Sequence, residues 1–381
     1  MQGRQDRRPT GEINTRAYRG EVVYIYAFDL AYDMKRERLV ELLGQPLQYY
    51  LIGLTKRSPK NVFFYRPQMV RLPPEIRQGP ISGTVEIQRT VKLFSVGAIS
   101  IQVRVPFEVG RIQDLVGYHD LSFAMGSLEG EITKLAERIR KELEPYCVRP
   151  VSRFGQVEAY TVFCIDTLLN GVGKLPVRTE DWLMANRREV AGLLTEEDDV
   201  AHLSEQEVAE STEQYLTYYD NDLAVVDWDA ALVIGKPDSF DEVLHIMELA
   251  NVQLVELAAY DRVLDSSLDA VYRDLARRRV RTSREVQRNL REIRVDSARL
   301  NDELLNITKF FGDWHLAKVY RNLSSRFHLA DWHGIIREKL KTLGDLYQLL
   351  NQDWINYWMV ILEATIVLLF IVDVVLLIAG L

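Results

Sequence analysis

Six histidines (His119, His202, His245, His315, His328 and His333) and two cysteines (Cys147 and Cys164) are the side chains here best suited to metal ligation or nucleophilic attack. Their spacing supports neither role. No HExxH pair places two imidazoles on one helix face beside a general base, and no CxxC occurs. His328 and His333 straddle a predicted helix start, so shared ligation is not expected. The chain has no GxxxxGK[ST] or GxGxxG loop to cradle phosphate and no GxSxG elbow. Asn170-Gly171-Val172-Gly173-Lys174 reads as a turn, because no helix opening with a hydroxyl residue follows. The sequence therefore predicts no catalytic residue, no cofactor and no metal ligand. An enzyme built on the first half of the chain stays open as an alternative.

Two clusters carry more chemistry. Residues 273–294 hold nine arginines against three acids, a net of +6. Guanidinium groups bind phosphate through paired hydrogen bonds. Arg277, Arg278, Arg279, Arg281 and Arg284 are thus candidate contacts for RNA or anionic lipid headgroups, or else a solvated helix-hairpin tip whose stems cover an apolar stripe. The second cluster lies in residues 354–381, WINYWMVILEATIVLLFIVDVVLLIAGL, where Glu363 and Asp373 are the only charged side chains among 28 positions. About 20 apolar residues suffice to cross a bilayer. The 17 Leu, Ile, Val and Phe here contribute about −0.3 to −0.6 kcal/mol each, against roughly +2.5 to +3.5 for a central acid. The sum predicts one membrane span. Intramembrane acids turn toward a protein interior, so Trp354, Glu363 and Asp373 are expected at a self-association face.

Along the chain, residues 1–20, with five arginines and no apolar core, read as a disordered basic arm. Residues 21–235 read as an α/β domain with a mixed or antiparallel sheet. Its predicted elements are a strand over Val22–Leu30, a short helix over Lys35–Leu43, and a hairpin joining residues 84–94 and 98–109 around Ser95-Val96-Gly97. A helix over 127–144, a strand over 158–169 and one or two strands within Leu223–Ile234 complete it. Between Thr195 and Asp222 stand ten acids and no Lys or Arg. This excursion reads as a solvated, partly helical segment with Ser204 and Glu207 as a capping box, or as a docking surface for a basic partner.

From Ser239 the pattern is helical only. Ser239 and Glu242 suggest a capping box, and apolar residues recur every three or four positions from Val243 to Leu275, interrupted at Asp261. A second helix runs from Thr282 to Phe311, a third carries Leu316, Val319, Leu323 and Phe327, and a fourth starts near Asp331 and continues into the span. A sustained period near 3.5 predicts side-by-side packing. The fold class is thus α+β: a sheet domain, then a long antiparallel helical hairpin or bundle over 239–350 forming a coiled-coil-like stalk, ending in one transmembrane helix. Asp261 and Ser297 are expected to face each other as a polar layer, or to be partly exposed.

The net charge of −8 argues against DNA as a bulk partner. Two cysteines give no disulfide framework. Arg337, Lys339 and Lys341 precede the span, and no basic residue follows. The positive-inside rule then places the bulk of the chain in the cytoplasm.

The C-terminal half resembles the family named after "required for meiotic nuclear division", over about residues 240–375. The resemblance rests on Gln253-Leu254-Val255-Glu256-Leu257, on Arg294 to Leu305, and on Gly312-Asp313-Trp314 followed by Leu316 and Tyr320. Asp353-Trp354 with Glu363 inside the apolar helix completes it. The first half is similar only at Tyr24–Met34 and Val225–Val233. The acidic stretch and the residues after Asp373 depart from the pattern. The resemblance implies a membrane-anchored protein without established catalysis, with Asp313, Trp314 and Tyr320 in structural roles. Its mitochondrial relatives sit at the inner membrane in large assemblies that support translation. Without a recognisable import signal, a bacterial inner-membrane setting is expected here, the mitochondrial inner membrane being the alternative. The resulting expectation is a tail-anchored, oligomeric, non-enzymatic scaffold that presents its domain to a cytoplasmic or ribosomal partner.

Overall fold

The computed structural model describes residues 18–35, 39–49, 67–78, 84–123, 126–155, 157–168, 178–276, 288, 291, 295 and 314–379. It has the expected α+β class, with a sheet domain followed by helices. The main sheet has ten strands: β1 Tyr18–Asp29, β2 Gln48–Tyr49, β3 Gln68–Arg71, β4 Glu75–Gln78, β5 Thr84–Leu93, β6 Ala98–Val109, β7 Glu158–Leu168, β8 Tyr215–Leu216, β9 Leu223–Val226 and β10 Ala230–Ile234. Their order is β8-β9-β10-β7-β1-β6-β5-β3-β2, with β4 on β5. Among the described residues only β7 and β10 pair in parallel, so the sheet is mixed.

β1 sits between β6 and β7. Covered on both faces, it is buried from Val22 through Phe28. That explains its unbroken apolar run where a half-exposed strand would alternate. β5 and β6 form the expected hairpin. Its turn needs Gly97, whose φ is +96. A Cβ there would stand 1.9 Å from the Ala31 carbonyl oxygen. Leu30 and Ala31 both donate to the Gly97 carbonyl, stitching the turn to the chain after β1.

The helix expected over Lys35–Leu43 is not present in the described residues. Glu41–Leu42 pairs with Gln45–Pro46. Leu43 (φ +54) and Gly44 (φ +71) make the reversal, the backbone pattern of a tight hairpin turn. The Glu142 carboxylate accepts the Leu43 N–H.

One face of the sheet carries α1 (Leu128–Leu143), which buries Leu128, Ile132, Leu135, Ala136, Ile139 and Leu143. The Ser127 hydroxyl caps it by accepting the Gly130 N–H. Helices α2 (Thr179–Ala185), α3 (Arg187–Leu194) and α4 (Glu205–Glu213) follow. Ser204 caps α4 on Glu207 N as expected. The Glu207 carboxylate accepts the Ser211 hydroxyl.

Helix α5 spans Pro237–Ala276, 40 residues. It starts two residues before the expected cap, because Pro237 has the fixed φ of a first helical turn and lacks the N–H that would go unpaired there. Ser239 donates its hydroxyl to the Lys236 carbonyl. Then come α6 (Trp314–Arg326) and α7 (Leu329–Ala379, 51 residues). The second predicted helix, Thr282 to Phe311, lies almost entirely outside the described residues.

The chain divides into two units. The first takes residues 1–256 and 310–329, so it includes the start of α5 and all of α6. The second takes 257–309 and 330–381. Within the second, Lys339 Nζ lies 2.7 Å from Asp261 and 2.6 Å from Asp265. The partner of Asp261 is therefore a lysine on α7. Ser297 lies outside the described residues.

Candidate functional site

The first unit buries charge where α5 meets the sheet. From Val243 through Gln253 every α5 residue is buried, so its polar side chains need partners inside the protein. His245, Glu248 and Asn251 recur at helical spacing. Glu248, fully buried, holds Lys92 of β5 at 2.5 Å and His245 Nδ1 at 3.4 Å. Burial alone would raise the Glu248 carboxyl. The Lys92 ammonium, with help from His245, overrides that and pulls it down to about 2. Burial holds the His245 imidazole below its ordinary value, against the opposing pull of Glu248.

Asn251 pins the helix to backbone. Its amide donates to the carbonyls of Ile25 (3.1 Å) and Glu158 (3.0 Å), on neighbouring strands. Tyr320 of α6 donates to Gln253 Oε1 at 2.6 Å. Its hydroxyl is pushed up to about 12 by burial, so it stays a donor. Nearer the rim, Arg104 of β6 bridges Glu21 and Asp241. The Lys92, His245, Glu248, Asn251, Gln253 and Tyr320 side chains hold α5 against the sheet away from solvent, while the Arg104 bridge is partly exposed.

An open cleft of about 900 Å³ lies elsewhere on the same unit. Its walls include α3, α4, the turn Asp227-Trp228-Asp229 between β9 and β10, and the end of α6. Arg187 donates to Thr212 Oγ1 and the Ala209 carbonyl. Arg326 pairs with Asp227 at 3.6 Å. The exposed Trp228 ring sits 5.4 Å from that of His328, which turns the chain at φ +49. Burial raises the carboxyls of both Asp227 and Asp229. With Glu207, Glu210 and Glu213, acids outnumber the arginines Arg187 and Arg326 in the lining, and the acidic excursion forms one wall of the cleft.

Of the residues singled out from the sequence, Arg277, Arg278, Arg279, Arg281, Arg284 and Asp313 lie outside the described residues. Trp314 is exposed at the start of α6, with the Arg321 guanidinium 5.8 Å above its ring. Tyr320 is buried in the α5 network. Trp354, Glu363 and Asp373 all fall in α7, and both acids are exposed. Lys92, Glu248 and Asn251 are not distinguished by the apolar stripe, and His245 and Gln253, both noted in the sequence, gave no sign of being buried partners. The HxxE spacing on a long predicted helix was the available signal. Both cysteines are free and buried, and burial raises the Cys147 thiol to about 11. Among the described residues no cluster of His, Cys, Asp or Glu is arranged to hold a metal ion.

A protein family described as the N-terminal domain of the uncharacterized protein MJ0711 matches residues 19–241. The chain is similar to that protein from Methanocaldococcus jannaschii, with 22% identity over 224 residues. The alignment takes in 58% of this chain and 66% of the relative, just under two thirds of its length. No solved structure matches. The matched region is the sheet domain through the first turn of α5.

Proposed function

The chain belongs to the family defined by the MJ0711 N-terminal domain, and from that premise we propose that it is a non-enzymatic membrane-anchored scaffold carrying that domain on a helical stem. The observation that supports this most is the end of α7. Asn356–Ile378 is a 23-residue apolar stretch, exposed throughout among the described residues. In water such a surface is costly, at about 25 cal/mol per Å² of apolar area. In a bilayer it is solvated.

In this reading the basic residues Arg337, Lys339 and Lys341 keep the body on the cytoplasmic side of a cell inner membrane. Oligomers of the stem present the sheet domain to a cytoplasmic or ribosomal partner. The translation-supporting role rests on the resemblance of the C-terminal half described above. The test is fractionation of cells making the full chain, followed by alkaline carbonate extraction. The chain is expected in the pellet, released by detergent alone. Recovery in the supernatant without detergent overturns the anchor. Light scattering of the detergent-solubilised protein tests oligomerisation, and a strict monomer refutes it.

A further inference from the structure

The span carries three side chains with carboxyl or carboxamide groups, Asn356, Glu363 and Asp373, all exposed on α7. The Thr365 hydroxyl is already satisfied, donating to the Ile361 carbonyl at 2.8 Å. Taken from Asn356 in alternating steps of three and four, the helix runs through Met359, Glu363, Ile366, Phe370 and Asp373. The three polar groups therefore share one seam with the 3.5-residue period of a helix that packs against a parallel neighbour. One step back lies Gln352, also exposed.

Before the span, this seam continues along a side of α7 left exposed among the described residues, while within the span every side is exposed. The buried residues described on α7 before the span, Leu329, Ile336, Leu340 and Leu343, define another stripe. In the same alternating steps that stripe passes position 354 and reaches Ile361, so Trp354, expected at the self-association face, falls outside the seam. Two residues at about 100° each separate Ile361 from Glu363, so the seam lies on the opposite side. Upstream on the seam, Ile335 and Leu349 are about half exposed.

We propose that α7 pairs in parallel with α7 of a second copy of this chain through the seam bearing Asn356, Glu363 and Asp373. The inference rests on the membrane reading of α7 and names its partner. In hydrocarbon, apolar side chains gain nothing by leaving lipid for one another, so polar groups and close packing drive helix association. Two copies inserted with the same orientation bring each polar group beside its own equivalent at the same depth, where a carboxyl in its neutral form donates its O–H to its counterpart, whereas two bare carboxylates would repel. A two-fold axis makes such a contact self-complementary. A different protein would have to supply matching polar groups at the same three depths, whereas a second copy supplies them automatically.

The test is oxidative cysteine cross-linking of the full chain in native membranes. Met359→Cys, Ile366→Cys and Phe370→Cys report on the seam. Ile361→Cys, Leu368→Cys and Ile371→Cys report on the opposite side. Cys147 and Cys164 are buried and stay out of the reaction. Disulfide-linked dimers are expected in the first set and not the second. Equal yields, or a maximum in the second set, overturn the proposal. Glu363→Leu combined with Asp373→Leu should weaken pairing read at Phe370→Cys by roughly tenfold, the size of one or two interhelical hydrogen bonds. An unchanged yield also overturns it. Carbonate extraction is run on every variant. Chains that stay in the pellet without cross-linking refute the pairing alone, while an unsubstituted chain in the supernatant refutes the anchor beneath it.

Discussion

Removing one member of the Lys92–Glu248 pair leaves the other's charge buried without the counter-charge it faces at 2.5 Å. Lys92→Met or Glu248→Met alone should therefore cost about 3–5 kcal/mol in denaturant unfolding of the full chain. The double substitution should cost much less than the sum, because nothing charged is left to compensate. A fully additive result would show that the pair is not coupled. Acid acts on the same residues. The His245 imidazole is held below 6.5 in the folded chain, so unfolded molecules bind the extra proton first and stability falls as pH drops below about 6.5. The Glu248 carboxyl is also depressed, and its contribution is lost further down, as pH falls from 4.5 toward about 2. Both shifts have the same sign. His245→Gln should flatten the decline in Tm between pH 7 and 5, and an unaltered slope would exclude the imidazole as its source.

At the scale of elements, the hairpin of β5 and β6 depends on one residue without a Cβ. Gly97→Ala meets both a positive φ and a carbonyl oxygen that cannot retreat, since Leu30 and Ala31 bind back to the same turn. We expect a loss of roughly 2–4 kcal/mol, measured by thermal unfolding. By contrast, Gly117→Ala has no atom within 4 Å of the new Cβ and should change little. Strand-length alternation and apolar runs made β1, β5, β6, β7 and α1 legible before any coordinates. The Lys35–Leu43 region was not legible. Its charged and apolar residues mimic a helix repeat, while the decisive feature is a two-residue reversal at Leu43 and Gly44. The α5 stripe was read correctly as apolar on one side. Periodicity has no way to reveal that the remaining sides are covered too, which is why its buried charges went unseen.

For the whole molecule, composition alone located the apolar stretch of α7, since bilayer solvation depends on summed side-chain preference and not on packing. The same additivity gives a prediction. Val367→Lys, near the middle of the span, adds about 2.5–3.5 kcal/mol to insertion and should shift chain from the carbonate-resistant fraction toward the soluble one. Glu363→Leu should move it the other way. If neither shifts the distribution, insertion free energy does not govern where the protein resides. The cleft walled by α4 and the Asp227-Trp228-Asp229 turn was not foreseeable, because its residues come from four separated segments. Only the acidic bias of one wall was visible beforehand.

The interleaving of the two units has a consequence for synthesis. Residues 310–329 complete the first unit, yet 53 residues that belong to the second precede them. At about 5–20 residues per second, the nascent sheet waits roughly three to ten seconds for its last helix. During that interval the surfaces later covered by Leu316, Val319, Tyr320 and Leu323 are bare.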